Sequence, residues 1–178
     1  FGSSDGHLYS LRTKDGRMRW KFKTGGWALS SPCVAKGEVL AGSDDGYLYA
    51  LDAETGELKW RTWLGGWVRA SPHRLRDKLY IGSQSGWFYA LDLNDGQLRW
   101  RFKAEGPVFG KAAIAGGLVF FGTWQGEVYA LDAETGDLAW IYHTGGPVSS
   151  ITTSGELVYF ASLDGFLYAV EATSGKVK

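Results

Sequence analysis

Three histidines, one cysteine and nineteen carboxylates are the side chains with which these 178 residues could do acid–base, nucleophilic or metal chemistry. Their spacing argues against all three. His7, His73 and His143 share no His-x-x-x-His step, and Cys33 has no second cysteine for a disulfide or a Cys-x-x-Cys metal site. Ser30-Ser31 and Ser149-Ser150 have no His and Asp placed to activate them. No Gly-x-x-x-x-Gly-Lys phosphate loop is present. No catalytic constellation, and hence no catalytic residue and no metal ligand, is assigned from the sequence.

Chemistry of a different kind is suggested by the aromatic residues. Nine tryptophans are present, with 26 glycines and only 4 prolines. Many aromatics and many glycines suit short strands joined by tight turns. Nineteen basic residues balance nineteen acidic ones, so the basic surplus of a nucleic-acid binder is missing. No apolar run approaches the roughly 20 residues of a membrane-spanning helix. The chain opens at Phe1, in the middle of a repeat and without Met, which is compatible with removal of a targeting segment.

The elements that position these aromatics repeat. Asp45-Gly46-Tyr47-Leu48-Tyr49-Ala50-Leu51-Asp52 recurs at Ser85–Asp92 and Gln125–Asp132, with weaker copies at Asp5–Arg12 and Asp164–Glu171. Its glycines, Gly6, Gly46, Gly86, Gly126 and Gly165, are spaced 40, 40, 40 and 39. A second column is Gly16, Gly56, Gly96, Gly136 and Gly175, followed four residues later by Trp20, Trp60, Trp100 and Trp140. Within one unit the pattern predicts four strands, at about 67–75, 78–82, 87–92 and 97–102. Leu98, Trp100 and Phe102 alternate with polar neighbours, so one face is buried. In Asp52-Ala53-Glu54-Thr55-Gly56, the carboxylate accepts backbone N–H bonds and the glycine takes positive φ.

Four antiparallel strands per forty residues, repeated, predict an all-β fold, a β-propeller of radially stacked blades. The expected units are a partial blade at 1–22, blades at about 27–62, 67–102 and 107–142, and an incomplete blade at 147–178. That makes about four and a half blades, an arc expected to belong to a larger ring with open ends able to self-associate.

The string Ala50-Leu51-Asp52-Ala53-Glu54-Thr55-Gly56-Glu57-Leu58-Lys59-Trp60 resembles the tryptophan-docking motif of the pyrroloquinoline-quinone-like repeat family. Ala130–Trp140 matches equally well. Ala90–Trp100 has Asp95 for Thr, and Ser10–Trp20 has Arg12 for Asp. WD40 and Kelch repeats fit poorly, since no Trp-Asp pair closes a unit and the Gly-Gly signature is missing. The resemblance implies that Trp20, Trp60, Trp100 and Trp140 are structural, packing blade against blade. It also implies two functional classes. One comprises quinone-dependent alcohol or sugar dehydrogenases, with pyrroloquinoline quinone, calcium, a catalytic Asp and often adjacent cysteines, which this chain lacks. The other is cofactor-free: protein-binding scaffolds such as an outer-membrane assembly lipoprotein, and sensor domains of signalling proteins. The expected function is therefore a non-catalytic scaffold with protein partners, located in the periplasm or bacterial envelope.

Residues that break the repeat are the better candidates for recognition. Trp27, Trp63, Trp67, Trp87 and Trp124 lie outside the docking column, in or beside the fourth-to-first and second-to-third connections. These connections are expected to open on one face as a binding rim. Arg69 and Lys111 are expected in the innermost strand, facing the central channel, free for an anion or paired with a carboxylate.

Overall fold

The computed structural model describes residues 1–178 and contains seventeen strands and no helix. β1 (His7–Leu11) pairs with β2 (Met18–Lys23). Three four-stranded antiparallel sheets follow. The second sheet is β3 (Cys33–Ala35), β4 (Glu38–Gly42), β5 (Tyr47–Asp52) and β6 (Leu58–Trp63). The third is β7 (His73–Leu75), β8 (Lys78–Gly82), β9 (Trp87–Asp92) and β10 (Leu98–Lys103). The fourth is β11 (Ala113–Ala115), β12 (Leu118–Gly122), β13 (Glu127–Asp132) and β14 (Leu138–His143). The fifth has three strands, β15 (Val148–Ser154), β16 (Leu157–Ser162) and β17 (Leu167–Glu171). Each sheet is a meander of sequential neighbours, which is the blade of a propeller.

The predicted first strand, 67–75, is an overestimate. Only His73–Leu75 forms ladder. Ahead of this ladder the Val68 N–H donates to the Ser43 carbonyl of the preceding sheet, at 3.1 Å. Pro72 then has no N–H to give. Arg69 and Lys111 consequently lie in connections rather than in innermost strands. The fourth sheet, with no proline after Val108, has an equally short first strand, and the fifth keeps seven residues.

The same stitch recurs at each joint. Ala28, Val108 and Val148 donate to Ser3, Ser83 and Thr123 at 3.0–3.1 Å. Side chains alternate between the two joints a sheet makes. Leu48 and Ala50 join a cluster with Leu79, Tyr89 and Leu91 of the next sheet. Phe88 and Ala90 do the same with Val119, Tyr129 and Leu131. Close approach needs glycine at the end of the second strand. A methyl on Gly42, Gly82 or Gly122 would sit 2.3–2.5 Å from atoms of Val68, Val108 or Val148.

The forty-residue indoles occupy these joints. A methyl on Gly56 would lie 2.6 Å from Trp20, and one on Gly96 2.5 Å from Trp60. At Gly136 and Gly175 it would meet Trp100 at 2.7 Å and Trp140 at 2.9 Å. Each docking indole thus lies on the third-to-fourth turn of the following sheet. Trp20, Trp100 and Trp140 also donate their N–H to Ala53, Ala133 and Ala172 carbonyls, at 3.0, 3.2 and 2.8 Å. Trp60 lacks this bond, and its buried N–H has no partner. The turns form as anticipated: Asp52 Oδ1 accepts from Glu54 and Thr55 at 2.9 and 3.0 Å, and Asp132 repeats this. Those backbone donors hold both carboxyls below the usual range.

Three tyrosines in this frame are pushed up from 10 to about 12. Burial is the main cause for Tyr49 and Tyr80, and the Asp164 hydrogen bond for Tyr168. Each phenol keeps its proton to higher pH when folded. Their contribution is therefore complete below pH 10 and is lost as pH rises through about 12. Thermal unfolding followed against pH is expected to show a falling midpoint across that window. A flat profile there would contradict these environments.

Candidate functional site

The connections form one face because they are hydrogen-bonded to each other. Asp44 N–H donates to the Trp27 carbonyl, Gln84 to Trp67, Trp124 to Pro107, and Leu163 to Pro147, at 2.8–2.9 Å. The fourth-to-first and second-to-third connections of one sheet are thereby fixed side by side, on a rigid β scaffold.

Two rim tryptophans come together. Trp27 and Trp67, 53% and 41% exposed, line an open groove of about 310 Å³ with Gly26, Asp44 and Arg69. Arg69 donates from Nε and Nη2 to the two Asp44 carboxylate oxygens, at 2.9 and 2.7 Å. Its guanidinium also lies 4.2 Å from the centroid of the Trp67 ring. This bidentate pair fixes the indole and strengthens the hold of Arg69 on its proton. Arg69 is therefore paired with a carboxylate, and its charge is neutralised within the groove.

The other rim residues sit apart. Trp124, 54% exposed, meets Phe109 edge-on at 5.9 Å. Trp63, 66% exposed, ends β6 and covers Gly46. Trp87 begins β9 half-buried, with Arg101 stacked 4.4 Å from its ring centroid. Lys111 is exposed, and its backbone N–H donates to the Ser150 hydroxyl oxygen at 3.3 Å. Asp44 and Phe109 are the site residues that sequence reasoning left out or left unpaired. A signal existed: Leu29, Arg69, Phe109 and Ser149 form one unlike column, and Asp44, Gln84, Trp124 and Leu163 another.

No group of three or more His, Cys, Asp or Glu side chains converges. His73 is used structurally, its Nδ1 lying 2.7 Å from the Ala112 carbonyl of the next sheet.

Four-stranded sheets joined by docked indoles, with an aromatic rim and no converging donor cluster, define a β-propeller of the pyrroloquinoline-quinone-like repeat class. The chain belongs to the family described as outer membrane protein assembly factor BamB, whose model matches residues 1–102 and 62–178. It is similar to the crystal structure of BamB from Moraxella catarrhalis, with a TM-score of 0.86 and 21% identity over 99% of this chain. It is also similar to the computationally designed Ika8 protein, with a TM-score of 0.87 and 18% identity over 99% of this chain. At these identities the likeness is one of fold. The chain spans 58% and 56% of those two proteins. No curated protein matches the sequence. No helix is long and apolar enough to cross a membrane.

Proposed function

We propose that this chain is a non-catalytic binding scaffold of the bacterial envelope, whose rim at Trp27, Trp67, Arg69 and Asp44 receives a protein partner. One observation carries the reading. Two half-exposed indoles flank an open groove, and one of them, Trp67, is stacked on an ion pair that leaves no free charge to discourage an apolar anchor. Rigid aromatic residues around a pocket are the usual anchors of protein interfaces. The envelope setting and the protein partner come from the family, described as an outer membrane assembly factor. Trp63, Trp87, Trp124 and Lys111 would extend the rim. No cofactor is assigned; the alternative, pyrroloquinoline quinone with calcium, belongs to the dehydrogenase reading.

Capture experiments test this. The chain and its Trp27→Ala/Trp67→Ala variant are immobilised and exposed to detergent-solubilised bacterial envelope, and bound proteins are identified. The native chain is expected to retain a specific component that the variant retains on the order of tenfold less. Equal retention would remove the rim as the binding surface.

A further inference from the structure

The first four sheets each finish in an outer edge strand, β2, β6, β10 or β14. Such a strand presents unpaired backbone groups to which another strand can add, and cations along it discourage that addition. β2 carries Arg19, Lys21 and Lys23, β6 carries Lys59 and Arg61, and β10 carries Arg99, Arg101 and Lys103. None of these three strands holds a carboxylate. β14 holds no Lys, Arg, Asp or Glu at all. Ala139 stands in the column of Lys59 and Arg99, and Ile141 in the column of Arg61 and Arg101.

On β6 and β10 the cations are held in place. Lys59 lies 3.4 and 3.6 Å from Glu38 and Asp52, and Arg99 pairs with Asp92. Arg61 and Arg101 meet no carboxylate and lie over the rings of Tyr47 and Trp87, 4.8 and 4.4 Å from the centroids. β14 has nothing equivalent. Apart from its ladder to β13, no backbone group of residues 138–143 makes a hydrogen bond within the chain. Ile141 and Leu138 are 40% and 48% exposed. Leu58 and Leu98, in the Leu138 column, are 43% and 52% exposed beside complete following sheets, so this exposure belongs to the position. No special kink protects the strand either. Its register shift at Ala130/Leu131 recurs at Ala50/Leu51 beside the charged β6.

We propose that β14 pairs with β14 of a second copy, antiparallel about a two-fold axis, so that two four-stranded sheets become one continuous sheet. Charge argues for a second copy. Two copies meeting through β2, β6 or β10 would bring only cations together, and like charges facing each other across a strand pair oppose it. Through β14 they bring none. Each copy then offers the same exposed apolar side chains, Leu138 and Ile141, as an isologous contact requires. A strand of this length spans roughly 20 Å. Backbone hydrogen bonds rather than a large buried area hold such a pair, and the dimer is weak. The contact uses none of the residues of the Trp27 and Trp67 groove.

Sedimentation velocity across concentration, on the full chain, tests the proposal. The native mass is expected to rise from one chain and level off at two. Ile141→Arg introduces the side chain that β6 and β10 already carry at this position, so the fold accommodates it. Combined with Ala139→Lys, it is expected to weaken association about tenfold or more. Circular dichroism checks that each variant is folded, and Ala139→Lys alone, expected to weaken association severalfold, keeps the test intact should Ile141→Arg fail to fold. Amide hydrogen exchange gives a second readout. Protection within residues 138–143 should rise with concentration, while that within 58–63 and 98–103 stays constant. A native chain of single mass at all concentrations would overturn the proposal. So would unchanged association in a folded variant, or concentration-dependent protection confined to other segments.

Discussion

Trp100→Ala is expected to cost about 3–5 kcal/mol of stability, while Trp124→Ala is expected to cost less than about 1 kcal/mol. Both remove an indole, so composition cannot explain the difference. Trp100 lies between two sheets. It packs against Gly136 of the following turn, with Tyr80 and Phe88 at 5.9 and 6.1 Å on its own sheet. Its N–H reaches the Ala133 carbonyl across the joint. Truncation leaves a cavity between β10 and the next sheet, and the stacked turn cannot collapse into it without moving its strands. Trp124 has one aromatic neighbour and is more than half exposed. Urea or thermal denaturation of the two variants measures the difference. A finer comparison uses phenylalanine. Trp60→Phe removes a buried N–H that has no partner, whereas Trp100→Phe removes one that does. Trp60→Phe should therefore be cheaper by about 1 kcal/mol. Equal losses for Trp100→Ala and Trp124→Ala would mean that the two tryptophan classes are not physically distinct.

The second large effect is at glycine. Gly56→Ala is expected to destabilise by roughly 3 kcal/mol or more, and Gly37→Ala by about 1–2 kcal/mol. The two have nearly the same backbone, with φ +76° and +73°, so both variants place a methyl in a left-handed turn. That strain is common to the pair. Only at Gly56 does the methyl enter the space of a docked indole, 2.6 Å from Trp20, while at Gly37 it enters open space. The difference between the two losses therefore measures the cost of displacing a docked tryptophan. Identical losses in denaturation would show that the glycines serve the turn alone.

Much of this architecture is legible because the repeat makes the same contacts each time. The Gly56 and Trp60 columns could be assigned before any coordinates, since a residue kept at a forty-residue period answers to a neighbour kept at the same period. The Asp52 turn was legible for a local reason, its carboxylate bonding two and three residues on. The first strands were less so. Val68 satisfies its N–H in the preceding sheet, and alternation within 67–75 carries no sign of that partner. The rim was legible only as a set. Five tryptophans off the repeat could be placed near one face, but the meeting of Trp27 with Trp67 across Arg69 and Asp44 depends on the stacking angle of two sheets. The partnership of Phe109 with Trp124 depends on the course of a single loop.

The claim beneath all of this is that indoles forty residues apart bridge successive sheets, while the off-period indoles other than the half-buried Trp87 face solvent. Hydrogen exchange of the indole N–H groups, read by 1H–15N correlation spectra with each tryptophan assigned by substitution, tests it most directly. The N–H groups of Trp20, Trp100 and Trp140 should be strongly protected by the carbonyls of Ala53, Ala133 and Ala172, while those of Trp27, Trp67 and Trp124 exchange at rates close to free indole. Rapid exchange at Trp20, Trp100 and Trp140 in the folded protein would contradict the account.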